Sequence, residues 1–202
     1  MNLQVTNFYS SEKATDCPTL SYPEYAFIGR SNVGKSSLIN FILNHQIAYT
    51  SSKPGKTQLI NHIEVNKKWA LVDLPGYGYA KLSKLKRKNI LNRVNQYFQK
   101  RGITLVGVFM LIDIRIPPQK IDIERMFWLV KNNIYFIRVF TKCDKLNKPK
   151  IQTAIKLYDK IMVQNNWGKM PDTIITSSKS QIGKDIILNK IKELNELFLN
   201  FK

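Results

Sequence analysis

The most constraining feature of the sequence is the segment from Gly29 to Ser36, which fits the pattern G-x-x-x-x-G-K-[ST]. It follows the apolar run Tyr25–Ile28 and precedes Ser37–Asn44, a stretch with helical character. In this strand–loop–helix setting the glycines let backbone N–H groups point inward at an anion, and the helix N-terminus adds partial positive charge. The segment therefore predicts a phosphate-binding loop, formed by Gly29, Arg30, Ser31, Asn32, Val33, Gly34, Lys35, Ser36 and Ser37.

The rest of the chain alternates short apolar runs with longer amphipathic stretches, which is typical of a parallel sheet with crossover helices. Candidate strands are Tyr25–Gly29, Leu59–Val65, Trp69–Leu74, Leu105–Asp113, Tyr135–Thr141 and Thr173–Thr176. A turn of only three residues separates the second and third, which predicts one antiparallel hairpin strand. We expect an α/β fold of the P-loop type, with a mostly parallel six-stranded sheet and helices on both faces.

The domain organisation is expected to be simple. No linker or internal repeat is visible, so residues 1–202 are predicted to form one domain, with a core at 23–202 that ends in a C-terminal helix. Apolar residues recur at helical spacing over Ile151–Met162 and Ile187–Phe198, and a further helix is expected between Pro118 and about Asn132. Residues 1–22 are either an edge strand, at Leu3–Phe8, or a loose arm.

Three further motifs end the third, fifth and sixth predicted strands, at the sheet edge where open α/β sheets bind ligands. Each would be an ordinary loop if it stood alone. A carboxylate at Asp73 can hold Mg²⁺ through water, and the Gly76 N–H can sense a γ-phosphate. The Asp144 carboxylate can accept hydrogen bonds from N1–H and the exocyclic amine of guanine, a pair that adenine does not offer. The motifs are Asp73-Leu74-Pro75-Gly76, Thr141-Lys142-Cys143-Asp144 and Thr176-Ser177-Ser178.

Within these motifs the expected roles are distinct. Lys35 should reach the β- and γ-phosphates, and Ser36 should ligate Mg²⁺. The Lys142 stem can lie over the purine, and Thr141 replaces the asparagine that usually begins this motif. The Gly-, Pro- and Ser-rich stretch Thr50–Thr57 predicts a mobile loop that supplies one more hydroxyl to Mg²⁺. Thr50 and Thr57 both qualify on chemistry.

Taken together, these motifs predict a P-loop GTPase fold. They resemble the EngB family of bacterial ribosome-assembly GTPases over nearly the whole chain. The resemblance rests on Gly29–Asn40, Pro54–Gln58, Asp73–Ala80, Asp113–Arg115, Thr141–Asp144 and Thr176–Ser178. It implies that Thr57 is the magnesium threonine and a catalytic residue beside Lys35 and Gly76. It also implies a nucleotide-contacting segment comprising Gly55, Lys56, Thr57, Gln58 and Leu59.

The resemblance further implies GTP hydrolysis used as a switch in assembly of the large ribosomal subunit, with a link to normal cell division and septation. Tyr77 follows Gly76 where a catalytic glutamine would stand, so slow intrinsic turnover is expected. Asn32 is implied as a ligand for K⁺ beside the phosphates, although an asparagine that caps the loop turn is an equal alternative.

The formal net charge of +18 predicts either a polyanionic partner, most simply ribosomal RNA, or a compositional bias toward lysine. The candidate RNA contacts follow the Asp73–Gly76 motif and make this stretch more basic than the resemblance leads one to expect. They are Lys84, Lys86, Arg87 and Lys88.

Several other protein classes are disfavoured. The chain has no apolar run long enough to span a bilayer, no signal-peptide pattern and no C-terminal prenylation box, so we expect a cytoplasmic protein without a membrane partner. Two distant cysteines exclude a disulfide framework, and a monomer is expected. Lys142 and Asp144 argue against an ATPase. A nucleotide-bound RNA- or ribosome-binding module with negligible turnover remains the alternative to a GTPase.

Overall fold

Short strands and longer helices alternate along the chain, as the sequence predicts. The computed structural model describes residues 3–47, 59–78 and 82–200. The strands are β1 (Val5–Ser11), β2 (Glu24–Gly29), β3 (Ile60–Val65), β4 (Trp69–Asp73), β5 (Leu105–Asp113), β6 (Phe136–Thr141) and β7 (Thr173–Ile175). The helices are α1 (Lys35–Leu43), α2 (Lys84–Arg101), α3 (Lys120–Lys131), α4 (Lys148–Gln164) and α5 (Lys184–Asn200). No helix in these ranges is long and apolar enough to cross a membrane.

The strands form one seven-stranded sheet in the order β1-β3-β4-β2-β5-β6-β7. Strand β2 pairs in parallel with β4 and β5, and β6 and β7 continue the parallel arrangement. Among the described strands, β3 alone runs in the opposite direction, antiparallel to both β1 and β4. The mostly parallel sheet and its single antiparallel hairpin strand are confirmed. The sheet has one strand more than the predicted six because the start of the chain forms the edge strand β1. That strand lies slightly later than Leu3–Phe8.

The sheet separates two hydrophobic layers. Successive residues of β2 point to opposite faces, so Tyr25 and Phe27 pack with α1 and α5, whereas Ala26 and Ile28 pack with α2, α3 and α4. All four side chains are fully buried. A strand buried on both faces reads as a continuous apolar run, which is the pattern that identified β2 in the sequence.

Helix α2 has no counterpart among the predicted helices. Its buried residues are confined to its second half, at Val94, Tyr97 and Phe98. Its first half is mostly polar and exposed, and only Ile90 there is half-buried. The helix begins at a cap in which the Ser83 hydroxyl accepts a hydrogen bond from the Lys86 N–H at 3.3 Å. A local cap and a short apolar contact therefore hold a helix that lacks an apolar stripe along its length.

A buried carboxylate at the start of β2 ties this helix to the sheet. Glu24 is fully buried and accepts hydrogen bonds from Arg101, Tyr97 and Thr104, and His62 Nε2 lies 3.2 Å from its Oε2. Arg101 also bonds the Pro18 carbonyl at 2.8 Å. Burial alone would raise the pKa of Glu24, but hydrogen bonds from His62 and Arg101 outweigh it and lower the pKa.

Replacing Glu24 by Gln should lower the free energy of unfolding at pH 7 by about 3 kcal/mol, because Arg101 loses its buried counter-charge. The pKa of Glu24 is depressed in the folded state, so this stabilisation is complete above the unfolded-state pKa of about 4.3 and is lost as the pH falls through the folded-state pKa. Urea denaturation at pH 7, and again at a pH below the folded-state pKa of Glu24, measures the difference in unfolding free energy between the variant and the parent. The matched change Glu196→Gln, in an exposed ion pair with Lys192, should have almost no effect. Equal effects from the two variants would contradict the assignment.

Candidate functional site

The Gly29–Ser36 segment forms a tight loop between β2 and α1. A Cβ at Gly29 would lie 2.8 Å from the Leu111 carbonyl oxygen, so only glycine fits where β2 meets β5. Asn32 and Gly34 have φ values of +65° and +101°, and α1 begins at Lys35 directly after Gly34. These left-handed residues turn the chain sharply enough for the loop backbone to enclose an anion, as the motif predicts.

Lys35 and Asp73 form a buried ion pair at the centre of this edge. Lys35 opens α1 and Asp73 ends β4, and the Lys35 ammonium contacts Asp73 Oδ1 directly. Both side chains are almost fully buried. The two residues expected to meet phosphate and magnesium are therefore adjacent. Each supplies the charge that the other needs in a low-dielectric environment.

The segment after Asp73 lies along the loop and is hydrogen-bonded to it. The Leu74 N–H donates to the Phe27 carbonyl at 3.1 Å, and the Tyr77 N–H donates to the Gly29 carbonyl at 3.2 Å. In return, the Ser31 N–H donates to the Tyr77 carbonyl at 3.0 Å. A Cβ at Gly76 would stand 3.3 Å from Ser31 N, so this glycine permits a close approach. The segment from Leu74 through Pro75 and Gly76 is thus bonded at both ends.

The end of β6 is joined to the same loop by side chains. The Thr141 hydroxyl donates to the Val33 carbonyl at 2.6 Å, and Lys142 Nζ donates to the Asn32 carbonyl at 2.7 Å. Lys142 is in the left-handed region, with φ +61°, and its Cε would lie 3.6 Å from a Cβ at Gly34. The replacement of asparagine by Thr141 therefore keeps a hydrogen bond between this motif and the phosphate-binding loop.

Asp144 faces the end of β7. Its Oδ1 accepts a hydrogen bond of 2.7 Å from the Ser177 hydroxyl, which is the main reason that the pKa of Asp144 lies below its usual value. The buried Cys143 contributes its N–H to the Thr176 carbonyl at 3.1 Å, and Ser178 is half-buried beside this contact. The carboxylate is held ionised, so it is an acceptor suited to two neighbouring N–H donors.

Asp113, at the end of β5, is a site residue to which the sequence analysis assigned no role. It accepts hydrogen bonds from Arg115 and, at 2.9 Å, from Lys142 Nζ. Burial alone would raise the pKa of Asp113, but these bonds outweigh it and lower the pKa. Its position directly after a long apolar run was the available signal, since polar residues at that edge of a parallel sheet commonly serve a site.

Several predicted residues lie outside the described ranges or at their border. Thr50, Gly55, Lys56, Thr57 and Gln58 belong to 48–58, so their expected roles remain predictions, and Leu59 is exposed just before β3. For Mg²⁺, the described candidates are the half-buried Ser36 hydroxyl and the Asp73 carboxylate. Both are hard oxygen donors of the kind that this ion prefers, so the donor set fits it.

The candidate RNA contacts share one helix. Lys84, Lys86, Arg87 and Lys88 are all exposed on the first turns of α2, a helix without a single aspartate or glutamate. They therefore present a concentrated positive charge to solvent.

Comparison with known proteins agrees with this geometry. The profile of a family described as 50S ribosome-binding GTPase matches residues 24–142. The chain is 55% identical to the probable GTP-binding protein EngB of Flavobacterium johnsoniae over 194 residues, 95% of this chain and 91% of that protein. It is 43% identical to the protein of the same name from Bacteroides fragilis, over 96% of this chain and 98% of that one.

Solved structures show the same fold. A crystal structure of a probable GTP-binding protein EngB superposes with a TM-score of 0.69 at 23% identity, over 86% of this chain and 98% of that one. Era in complex with MgGDPNP and nucleotides 1506–1542 of 16S ribosomal RNA superposes with a TM-score of 0.63 at 20% identity, over 87% of this chain and 56% of that one. On the matched GTPase profile and on the identity to EngB proteins over more than nine-tenths of the chain, this chain belongs to the EngB family of GTP-binding proteins.

Proposed function

We propose that this protein hydrolyses GTP to GDP and phosphate as a switch in assembly of the large ribosomal subunit. The observation that carries the proposal is the convergence of the Gly29–Ser36 loop, Asp73–Gly76 and Thr141–Asp144 at one edge of the sheet. These motifs are far apart in the sequence. They meet because the strands that carry them, β4, β2, β5 and β6, are parallel neighbours in the sheet. By resemblance, the same activity is linked to normal cell division and septation.

The phosphate half of the proposed site is electrostatic. Lys35 and the loop N–H groups neutralise developing phosphate charge, and Gly76 offers an N–H to the γ-phosphate. Ser36 and Asp73 would hold Mg²⁺ together with Thr57, and the ion would add positive charge at the phosphates. A triphosphate competes with Asp73 for the Lys35 ammonium, so nucleotide binding and the buried ion pair are coupled.

The base half of the proposed site would select guanine. Asp144 is held ionised by Ser177 and accepts from the two N–H groups on the guanine edge. Lys142 is anchored on Asp113 and Asn32, which fixes its stem beside Gly34. Thr176 and Ser178 complete the pocket from the β7 side.

The ribosomal part of the proposal has separate support. The matched family is described as ribosome-binding, and the structural neighbour Era was solved with ribosomal RNA. In this chain, the start of α2 lies a few residues after Asp73–Gly76, a segment that nucleotide state orders in switch proteins. Basic side chains placed there would meet RNA phosphates in one nucleotide state and not in the other.

A second candidate function is a nucleotide-bound ribosomal module with negligible turnover. It is favoured by the position of Tyr77, whose side chain is buried beneath the loop and does not supply the amide of a catalytic glutamine. K⁺ held at Asn32 would compensate by neutralising phosphate charge, and Asn32 is exposed at the turn of the loop.

Asp144→Asn should weaken GTP binding by at least about tenfold and favour xanthosine nucleotides, whose C2 carbonyl accepts from the new amide. The Ser177 hydroxyl can still donate to the amide oxygen, so the pocket should keep its shape. Titration with GTP and XTP measures the change, and Asp172→Asn, which alters an exposed acid at the other end of β7, is the matched control. Unchanged GTP affinity in Asp144→Asn would refute guanine recognition here.

If K⁺ completes the site, GTP hydrolysis should run faster in K⁺ than in Na⁺ at matched ionic strength, and Asn32→Ala should abolish the difference. Phosphate release measures both rates. Equal rates in the two salts would leave Asn32 as a turn residue. Phosphate release that stays at background in K⁺, with and without ribosomes, would favour the module over the GTPase.

Replacing Lys84, Lys86, Arg87 and Lys88 together by Ala should weaken binding to the large subunit. The slope of the logarithm of the binding constant against log[salt] should become less steep by about three, since each RNA phosphate contact contributes about 0.7–0.9 to that slope. Nucleotide affinity should stay unchanged, because these residues lie outside the nucleotide motifs. Co-sedimentation with GDP and with a non-hydrolysable GTP analogue provides the measurement.

The charge-matched control replaces four exposed lysines on other elements, Lys131, Lys156, Lys160 and Lys169. Equal losses from both quadruple variants would show that net charge, and not the α2 surface, attracts the subunit. Equal binding of the parent with GDP and with the analogue would rule out a nucleotide switch.

A further inference from the structure

Tyr77 is anchored by its side chain as well as by its backbone. Its side chain is 6% exposed, and its hydroxyl donates to Oδ1 of Asp122, in the first turn of α3, at 2.9 Å. The Arg125 guanidinium lies over its ring, 5.9 Å from the centroid. The residue that follows Gly76 thus points into the protein, toward α3.

Asp122 connects this anchor to the phosphate-binding loop. Its Oδ2 lies 3.0 Å from Nε of Arg30, and Arg30 is the residue between Gly29 and Ser31, the two partners of the Tyr77 backbone. The side-chain contacts and the backbone hydrogen bonds therefore close a ring: Arg30 to Asp122, Asp122 to Tyr77, and Tyr77 back to the loop. Gly78 packs over this ring, where a Cβ would lie 3.6 Å from Arg30 Cγ.

The ring has little freedom to rearrange. Asp122 is fully buried, and burial raises its pKa although Arg30 and Tyr77 oppose that effect. If Tyr77 moved away, a buried carboxylate would lose the donor at its Oδ1 and, of its described side-chain partners, keep only Arg30 and Tyr158 beside it, which is more unfavourable than losing the same bond at the surface. The preferred arrangement is therefore the one in which Tyr77 stays docked.

Docked Tyr77 determines where Gly76 lies. The Leu74–Tyr77 segment is held upstream by the Leu74 bond to Phe27 and downstream by Tyr77, with Gly76 between the two points. We propose that Asp122 is a positioning residue: through Tyr77 it holds the Gly76 N–H ready for a γ-phosphate and so favours GTP over GDP. The proposal rests on the nucleotide site described under Proposed function and adds a residue outside its motifs.

The test compares Tyr77→Phe and Asp122→Asn with the parent. Tyr77→Phe removes the hydroxyl alone, and Asp122→Asn removes the charge but keeps the shape. Each should weaken binding of a non-hydrolysable GTP analogue by about tenfold, the loss expected for one charge-assisted hydrogen bond. Binding of GDP should change less than about twofold, because GDP has no γ-phosphate to meet Gly76. Calorimetric titration of both nucleotides gives the ratio.

The double variant and a matched control separate positioning from stability. If both residues act through one contact, the double variant should lose no more than the worse single variant. Tyr135→Phe is the control, since its hydroxyl also donates to an aspartate, Asp172, at 2.9 Å, but beside an exposed acid at the start of β6. It should leave the ratio of GTP-analogue to GDP affinity at the parent value.

Each outcome is decisive. Loss of both affinities in proportion, with a lower thermal midpoint, would make the ring a purely structural feature and overturn the proposal. A raised preference for the GTP analogue would overturn it as well, because the docked Tyr77 would then oppose GTP. If Asp122→Asn does not fold, Tyr77→Phe alone decides. If the parent itself binds neither nucleotide, the proposed function fails and not this inference alone.

Discussion

Parallel pairing of β2 with β4 on one side and β5 on the other is the constraint on which the site depends. Because parallel strands end at the same edge, Gly29, Asp73 and Asp113 arrive together although they are far apart in the chain. Burial of β2 on both faces fixes its register, since a slip of one residue would exchange the two hydrophobic layers. Ordinary core packing therefore determines the positions of the charged groups.

A second layer of polar contacts then joins the loops to one another. The phosphate-binding loop receives the Thr141 hydroxyl at Val33, the Lys142 ammonium at Asn32 and the Tyr77 backbone at Gly29. Each of these three contacts uses a loop carbonyl oxygen and therefore occupies no N–H group of the loop, although the Ser31 and Val33 N–H groups donate to Tyr77 and Arg30. The contact with the Val33 carbonyl needs only one hydrogen-bond donor, so the threonine hydroxyl can take the place of an asparagine amide at position 141.

The conformation of the Gly29–Ser36 loop, the hairpin and the position of the Thr141–Asp144 motif beside that loop could be predicted because each depends on local chemistry: glycines, a short turn and an aspartate at a strand end. Other features depend on tertiary contacts and lack a sustained apolar periodicity in the sequence. The first half of helix α2 is mostly polar, and the mixed sequence of β1 shows its role only when the strand pairs with β3. Asp122 looks like an ordinary acid in the first turn of a helix, and the direction of Tyr77 is set by that buried partner.

The edge position of β1 has a consequence for the order of folding. Its contacts are distant in the chain: the Asn7–Glu64 hydrogen bond spans 57 residues and the Ser10–Asn61 bond spans 51. During synthesis β1 emerges before its partner β3, so we expect its docking to close a long loop and to come late. Strands β3 and β4 separate it from the central strand β2. Local unfolding of β1 would therefore need little free energy. It would leave the opposite half of the sheet assembled, together with the loops that follow β2, β5 and β6.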